Sequence, residues 1–312
     1  MTSTVPSTSQ TPAADRPRSR TRPRDTEAAR TRRLTLGSSR TVLALGLGAL
    51  VVAAVLWAAP MVFAVATSFK TEADASSAPL RLFPQNGWTF ENYATVLTAS
   101  GLPRWILNSV IISVIVTAIT LVVSVPAAYA FSRHRFRGRG LLFGLTIAAI
   151  MVPPQILIVP LFEQMKVLRL SDTLLGVALP QVVAPLMVIV LKNFFDQIPR
   201  ELEEAARIDG ASNLRTLLTV VMPLSRSIMV AVGIFVFIGA WNNFLWPFIV
   251  TNSPELMTIP VGLGTVENAY GLQYAQSMAS AIVGGLPLLI VFLLFQRQIV
   301  KGFASAGLGG GQ

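Results

Sequence analysis

The sequence predicts an all-α integral membrane protein with about six transmembrane helices. Of its 312 residues, 53% are hydrophobic and only 13% are charged, whereas about a quarter of the residues in a typical soluble domain are charged. The apolar residues are gathered into long blocks, and a helix needs about 20 such residues to cross the hydrocarbon core of a bilayer. A membrane barrel would instead show short strands of alternating polarity, so we expect helices.

Six apolar segments follow one another along the chain, and none of them contains Asp or Glu. They cover residues 41–69, 105–131, 141–162, 173–195, 227–250 and 276–299. Each is long enough to span a bilayer with some tilt. The first is far longer than the apolar core of a cleaved export signal, which has about 7–15 residues. We therefore interpret it as a retained helix.

The distribution of Lys and Arg predicts which loops face the cytoplasm. With the N-terminus inside, the inner segments hold 20 of these residues and the outer segments hold 5. The inner segments are 1–40, 132–140, 192–226 and 297–312, and the outer ones are 70–104, 163–172 and 251–275. Cytoplasmic loops carry the excess of basic residues. We therefore expect a multi-pass protein of the cytoplasmic membrane with both termini in the cytoplasm.

The N-terminal 40 residues differ from the rest of the chain. They contain nine Arg against three acidic residues, with Ser, Thr and Pro between them. A basic tail can bind nucleic acid or anionic lipid, but this composition is typical of a solvated, disordered extension. We expect a disordered cytoplasmic tail over 1–40, no nucleic-acid partner, and a transmembrane domain over 41–312 with its core at 105–299.

The residue types exclude several kinds of catalytic site. The chain has no cysteine, which excludes disulfides, thiolate catalysis and cysteine metal sites. Its one histidine, His134, lies in a basic loop without other metal ligands nearby. None of the four lysines follows a glycine, so the phosphate-binding loop G-x-x-x-x-G-K-[ST] is missing. We predict no catalytic, cofactor or metal site in this chain.

Proline is frequent within the predicted spans, where it frees a carbonyl and bends a helix. These prolines indicate either ordinary irregularity of membrane helices or a bundle that bends as it opens and closes. The outer loop 70–104 is rich in aromatic residues and is expected to form short interfacial helices. The prolines are Pro126, Pro153, Pro154, Pro160, Pro180, Pro185, Pro247 and Pro287.

The inner loop between the fourth and fifth segments carries the most informative motif. The sequence around residues 196–223 predicts two short helices joined at a corner. In the first helix, Pro199 suits the first helical position, and Gly210 can take the left-handed conformation that ends a helix. Ser212 can cap the second helix, which ends near Pro223. Acidic residues lie in the first turns, where the helix dipole favours negative charge. Small and apolar residues share one face; they are Leu202, Ala205 and Ile208.

This loop resembles the cytoplasmic loop of the permease subunits of binding-protein-dependent ABC importers. That family's pattern is E-A-A, three residues, G, nine residues, I, one residue and L-P. Here Glu204-Ala205-Ala206 is followed at the family's spacing by Gly210, and later by Val220, Val221 and Met222-Pro223. Val replaces Ile and Met replaces Leu, which are mild changes.

Further segments resemble the carbohydrate-uptake branch, such as the smaller membrane subunit of maltose transporters. Residues 241–247 match the pattern W-N-[ED]-F-L-W-P, with Asn243 in place of the usual acid. The resemblance covers most of residues 60–310 and leaves out the first 40. It implies the transmembrane domain of a type I ABC importer.

The resemblance also implies partners. A second permease subunit would complete the pathway, an ABC ATPase dimer would bind ATP and grip the E-A-A loop, and an extracytoplasmic solute-binding protein would face the loop 251–275. Residues 201–212 would form the coupling helix. The residues expected at the ATPase are Glu201, Glu204, Ala205, Ala206, Asp209, Gly210 and Pro223.

Two alternatives stay open from the residues alone. A stand-alone secondary transporter usually carries Asp, Glu or His in its spans; their absence argues against proton coupling, but not against sodium sites made of carbonyls. A membrane enzyme would need a catalytic group, and the sequence shows none.

The solute is expected to be neutral because the spans contain no acidic residue and no histidine. Four amides can offer hydrogen bonds to hydroxyl groups, or can instead tie helices together. The expectation of a sugar rests on the resemblance, and sugar alcohols, oligosaccharides and glycerol phosphates remain alternatives. The four candidates for the translocation path are Gln155, Gln181, Asn242 and Asn243.

Overall fold

The structure is a computed structural model that describes residues 40–79, 81–98, 100–269 and 273–307. The predicted basic tail therefore lies outside the described residues except for Arg40. Every regular element in the described part is a helix, which agrees with the predicted fold class. The chain divides into two units, Met1–Pro60 and Met61–Gln312.

Fifteen helices can be named in chain order within the described ranges. They are α1 Arg40–Ser68, α2 Glu72–Ala75, α3 Glu91–Thr98, α4 Leu102–Arg133, α5 Arg139–Met151, α6 Ile158–Val167, α7 Leu174–Ala178, α8 Pro185–Asp196, α9 Arg200–Ile208, α10 Asn213–Thr216, α11 Met222–Leu224, α12 Arg226–Trp241, α13 Leu245–Val250, α14 Ile259–Ala269 and α15 Tyr274–Gly307. Short 3₁₀ turns lie at Pro154–Leu157, Leu179–Gln181 and Pro254–Leu256, and a π-helical turn at Leu217–Val221.

Three helices are long and apolar enough to cross a membrane without a break, and up to six spans result if each bent helix pair counts as one. The unbroken ones lie at Val42–Ser68, Leu102–Arg133 and Tyr274–Gln296. The bent pairs turn by 94° after Met151, by 48° after Gln181 and by 83° after Leu224. The six predicted segments therefore correspond to helical regions, but only three of them are continuous helices.

The bends do not follow proline content alone. Pro153 and Pro154 stand at the 94° bend and Pro185 begins α8, but Pro126 lies inside α4 and Pro160 inside α6 without interrupting them. A membrane helix tolerates proline where neighbouring groups satisfy the freed carbonyl. Pro160 lies in the first turn of α6, where proline removes no helical hydrogen bond, so the position of a proline within its helix matters as well as its surroundings.

Helix α4 lies at the centre of the second unit. It packs against α8 and α12, and α12 packs in turn against α15. Small polar side chains are buried along α4, which allows close helix packing. Thr120 uses its hydroxyl to donate to the carbonyl of Val182, 3.0 Å away, at the break between α7 and α8.

The segment from 251 to 269 is more ordered than the plain outer loop that the sequence suggests. It contains the turn Pro254–Leu256 and helix α14. Helix α4 holds this segment at its Leu102 end, because the side chains of Trp105, Asn108 and Ser109 bond its backbone. Among the described residues of the loop 70–104, Glu72–Ala75 and Glu91–Thr98 form α2 and α3, so the presence of short helices in that loop is confirmed.

Candidate functional site

The E-A-A segment forms helix α9, which begins directly after Pro199. Gly210 has a φ of +81°, as the sequence predicts. Its N–H donates to the carbonyl of Arg207 at 3.0 Å, and the N–H of Ala211 donates to that of Ala206 at 2.9 Å. These two bonds satisfy carbonyls that the helix end would leave free. Ser212 then caps α10 by accepting from the N–H of Arg215 at 3.4 Å.

Most of the predicted coupling residues lie at the surface of α9 and its end. Glu201, Glu204, Ala205, Asp209 and Gly210 are exposed, and Ala206 is half-buried. Pro223 is also exposed but lies in α11, beyond the π-helical turn. The structure thus gathers six of the seven on α9 and the turn that follows it, and places the seventh on another helix.

Large apolar side chains are exposed around these residues. Leu202 and Ile208 on α9 are 45% and 86% exposed, and Leu214 and Leu218 beyond the corner are 63% and 52% exposed. Exposed apolar groups rimmed by charge are typical of a surface that binds another protein. Leu202, Ala205 and Ile208, which the spacing places on one face, are all exposed.

The remaining acid of the motif, Glu203, is buried instead. Its Oε1 pairs with Nε of Arg133 at 2.6 Å, and both side chains are at most 4% exposed. Its Oε2 accepts from the hydroxyl of Tyr129 at 3.0 Å. Two charges away from water need this kind of pairing and additional hydrogen bonds. Glu203 therefore fixes α9 to the end of α4.

Arg133 also holds the chain just before α9. Its Nη2 donates to the carbonyls of Phe195 and Ile198 at 2.7 and 2.6 Å. The neighbouring Ser132 donates to Oδ1 of Asp196 at 2.7 Å, and Lys192 pairs with Oδ2 of the same residue at 2.7 Å. The last turn of α4 thus fastens both the end of α8 and the start of α9.

Sequence reasoning missed Tyr129, Arg133 and Glu203 as a functional group. The available signal was charge complementarity, because a basic residue ends the second span and acids lie in another loop predicted on the same side. That signal does not say which of Glu201, Glu203 and Glu204 turns inward, since all three lie within about one turn of one helix.

A cavity of about 460 Å³ lies where three helix breaks meet. Gln155 follows the break after α5, Gln181 precedes the break before α8, and Asn243 lies in the break between α12 and α13. All three line the cavity, and no charged residue does. The other lining residues are Val116, Pro154, Ile158, Leu161, Pro180, Val183, Ala184, Met187, Phe235, Val236, Gly239, Ala240, Leu245 and Trp246.

Two of the cavity amides bond to each other. Nδ2 of Asn243 donates to Oε1 of Gln181 at 2.8 Å, and Nε2 of Gln181 donates to the carbonyl of Val177 at 2.8 Å. Asn242, the fourth candidate, is not among the lining residues. Its Nδ2 donates to the carbonyl of Ile238 in the last turn of α12 at 3.0 Å.

Asp172 joins two connecting segments on the side of the Leu102 end of α4. Its Oδ1 accepts from the N–H groups of Asn252 and Ser253 at 2.9 and 3.0 Å, and its Oδ2 accepts from the hydroxyl of Ser253 at 2.5 Å. The hydroxyl bond, together with the two backbone bonds, lowers the pKa of this carboxyl below its ordinary value. Hydrogen bonds to the charged form have this effect.

Among the described residues, no group of three or more His, Asp or Glu side chains is arranged to hold a metal ion. The chain also contains no cysteine. The two candidate functional features described above are the anchored helix α9 and the uncharged cavity.

Residues 120–304 match the family described as binding-protein-dependent transport system inner membrane component. The arabinooligosaccharides transport system permease protein of Halalkalibacterium halodurans is 33% identical over 253 residues, covering 80% of this chain and 91% of that protein. The trehalose/maltose transport system permease protein of Thermococcus litoralis is 35% identical over 257 residues, with coverage of 80% and 91%.

A third relative is the sulfoquinovosyl glycerol transport system permease protein of Agrobacterium fabrum. It is 35% identical over 253 residues, covering 80% of this chain and 88% of that protein. Among solved structures, a chain of a bacterial ABC transporter involved in the import of the acidic polysaccharide alginate superimposes with a TM-score of 0.74. It is 23% identical, with 84% of this chain and 97% of that chain covered, and it shows a shared fold.

Proposed function

The chain belongs to the family of binding-protein-dependent transport system inner membrane components, and from this premise we propose that it moves a sugar or related neutral polyol. Membership makes it a multi-pass permease subunit of an ABC importer that works with partner subunits. It also decides against the stand-alone secondary transporter that the residues alone left open.

The cavity at the three helix breaks is the observation that carries the choice of solute. Broken membrane helices commonly surround substrate sites in transporters. Gln155, Gln181 and Asn243 offer donors and acceptors to hydroxyl groups, and the lining contains no charge that would favour an ion. Two of the relatives are permeases of arabinooligosaccharide and trehalose/maltose transport systems, which supports a sugar for this chain.

The exposed face of α9 supports the second part of the proposal, the coupling to ATP hydrolysis. Leu202, Ile208 and the exposed acid Glu204 would enter a groove on an ATPase subunit, while Glu203 keeps the helix attached to the permease. In this assignment the loop bearing α9 is cytoplasmic, both termini are cytoplasmic, and the Leu102 end of α4 faces outward. The transmembrane domain covers 41–312.

The proposed assembly contains this chain, a second permease subunit, an ABC ATPase dimer that binds the ATP, and an extracytoplasmic solute-binding protein. A second permease subunit would complete the pathway that the cavity lines. The segment 251–269, which α4 and Asp172 hold in place, would face the binding protein.

A pull-down combined with uptake tests this proposal. The tagged chain, expressed with the transporter proteins of neighbouring genes, should retain an ATPase and support ATP-dependent uptake of a labelled sugar by proteoliposomes. Glu204→Arg should reach the membrane normally but lose the ATPase and the uptake. Glu163→Arg is the matched control, because Glu163 is also exposed but lies on α6.

Retention of an ATPase by the Glu204→Arg protein at the wild-type level would contradict the coupling assignment. Uptake by the isolated chain without any ATPase would contradict the proposed importer mechanism itself. Uptake restricted to charged solutes would contradict the choice of a neutral sugar or polyol.

A further inference from the structure

We propose that α4 is the rigid link that transmits movement of α9 to the segment 251–259, and that the Arg133–Glu203 ion pair is the joint at which α9 drives it. The inference rests on the proposed function, in which α9 docks on the ATPase and the segment 251–259 faces the binding protein. Arg133 and Glu203 are positioning residues in this scheme, because neither touches the solute or ATP.

The joint holds more of the chain than the ion pair alone. Arg133 binds the carboxylate of Glu203 on α9 and, through Nη2, the carbonyls of Phe195 and Ile198. Tyr129 adds a bond to the second carboxylate oxygen. One side chain of α4 therefore fixes α9 and the residues that lead into it as a single body.

Burial makes the joint stiff. The side chains of Arg133 and Glu203 are 4% and 3% exposed, so water does not screen their attraction as it does on a surface. Separating two opposite charges that are buried is strongly unfavourable. A displacement of α9 is therefore carried over to α4 before the pair separates.

The opposite end of α4 is fastened to the segment 251–259. Nε1 of Trp105 donates to the carbonyl of Pro254 at 2.8 Å. Nδ2 of Asn108 donates to the carbonyls of Glu255 and Met257 at 2.7 and 2.9 Å. Oγ of Ser109 accepts from the N–H of Ile259 at 2.9 Å.

The covalent routes out of α9 are poor transmitters by comparison. Towards the N-terminus the chain passes through α8 to a 48° bend, and towards the C-terminus it passes a π-helical turn to an 83° bend. Breaks of this kind can absorb a displacement by changing their angle. Helix α4 runs unbroken for 32 residues, a length of about 48 Å at about 1.5 Å per residue.

That length exceeds the thickness of a bilayer with its headgroups, about 40–45 Å. Both ends of α4 therefore reach the membrane surfaces, where α9 and the segment 251–259 meet their partners in the proposed function. Movement of α9 by the ATPase would displace this segment by way of one continuous helix. If α4 is detached from α9 or from the segment 251–259, loaded binding protein is expected to stimulate ATP hydrolysis less.

The test uses the complete transporter in proteoliposomes with Glu203→Gln in this chain. The variant keeps the size of the side chain and an acceptor for Tyr129, but removes the charge that binds Arg133. Three quantities are measured: the ATPase retained on the tagged chain, ATP hydrolysis without solute, and hydrolysis with the solute-loaded binding protein. Glu163→Gln on α6, which is exposed, is the matched control.

We expect the Glu203→Gln transporter to retain its ATPase and to hydrolyse ATP in the absence of solute. The stimulation by loaded binding protein should fall about tenfold, within the range of about 5- to 150-fold that is usual for coupling between sites. Uptake per ATP hydrolysed should fall with it. A role in folding alone would lower all three quantities in proportion to the amount of assembled protein.

Two further variants keep the inference testable if Glu203→Gln does not assemble. The double variant Arg133→Met/Glu203→Met leaves no unpaired buried charge, and such replacements often preserve stability. It nevertheless removes the ion pair that connects α9 to α4. Asn108→Ala releases the other end. Each variant should lose the stimulation of ATP hydrolysis by loaded binding protein. Asn108→Ala combined with the double variant should reduce this stimulation little further, because both changes interrupt the same link.

Stimulation and uptake per ATP at wild-type values in the assembled double variant, or in assembled Asn108→Ala, would overturn the rigid link. The proposed function would survive that result, since wild-type protein would still retain an ATPase and import solute. Failure of the wild-type chain to do either would overturn the proposed function instead.

Discussion

The indole ring of Trp105 occupies the space that any side chain at residue 262 would need. A Cβ built on Gly262 would lie 2.2 Å from Cδ2 and from Cε3 of Trp105. Trp105 is buried, and its Nε1 is bonded to the carbonyl of Pro254, so the ring cannot turn away without losing that bond. Glycine at 262 therefore lets α14 approach α4 closely.

Replacement of Gly262 by Ala is expected to destabilise the protein by about 1–3 kcal/mol, the usual cost of adding a group to a filled core. The measurement is the unfolding temperature of the detergent-purified chain. Gly264→Ala is the matched control on the same helix, because a Cβ there meets no atom within 4 Å. Equal unfolding temperatures of the two variants would contradict the close approach.

Replacement of Gly210 by Val is expected to abolish transport while membrane insertion stays normal. A β-branched residue in the left-handed region is strained by about 1–2 kcal/mol or more, so α9 would lose its C-terminal turn and the corner that leads to Ser212. Uptake and the membrane-inserted amount are measured together.

Gly210→Asn is the control for that variant, since Asn tolerates the left-handed conformation. It should keep more of the uptake than Gly210→Val, because a Cβ at 210 meets no atom within 4 Å. If Val and Asn had the same effect, the backbone conformation would not be the reason for glycine at this position.

Local sequence signals predicted the C-terminal end of α9 and the N-terminal cap of α10 correctly, because they depend on neighbours within a few residues. Pro199 was expected at the first helical position but precedes it by one residue. Gly210 is left-handed and Ser212 caps α10, and both features follow from the chemistry of the residue itself. The existence of six apolar helical regions is predictable for the same reason, since hydrophobic length is a property of the segment.

Features that depend on distant residues were not predictable. Glu203 and Glu204 are neighbours of the same type, but only Glu203 is buried. It pairs with Arg133, which lies 70 positions earlier in the chain. The bends likewise depend on what satisfies freed carbonyls, as Thr120 does for Val182. Asn242 and Asn243 are adjacent residues of the same type, and only the folded chain shows that Asn243 lines the cavity and Asn242 does not.

Asp172→Asn is expected to lower the unfolding temperature by a few degrees at neutral pH. Asn keeps the left-handed backbone of this residue, whose φ is 57°, but removes the charge that the N–H groups of Asn252 and Ser253 bind. The segment 251–253 would then be held less firmly to the segment that precedes α7.

The effect of Asp172 should also depend on pH. Its pKa is lowered in the folded protein, so its contribution to stability is complete above the ordinary pKa near 3.8 and is lost as the pH falls through the lower folded value. The difference in unfolding temperature between wild type and Asp172→Asn should therefore be constant from pH 7 to about 5 and shrink below pH 4. A difference that grows on acidification would contradict the assignment.

Asn243→Ala is expected to raise the KM for uptake about fivefold, the effect of losing one hydrogen bond worth about 1 kcal/mol. The amide lines the cavity and bonds Gln181, so its removal takes away a group that can bind a solute hydroxyl and releases the Gln181 side chain.

Asn242→Ala is the matched control, because that amide is exposed and bonds only the carbonyl of Ile238. KM is measured for uptake of the labelled sugar, with the amount of assembled transporter determined in parallel. A larger effect of Asn242→Ala than of Asn243→Ala would mean that the solute does not pass through the cavity at the three helix breaks.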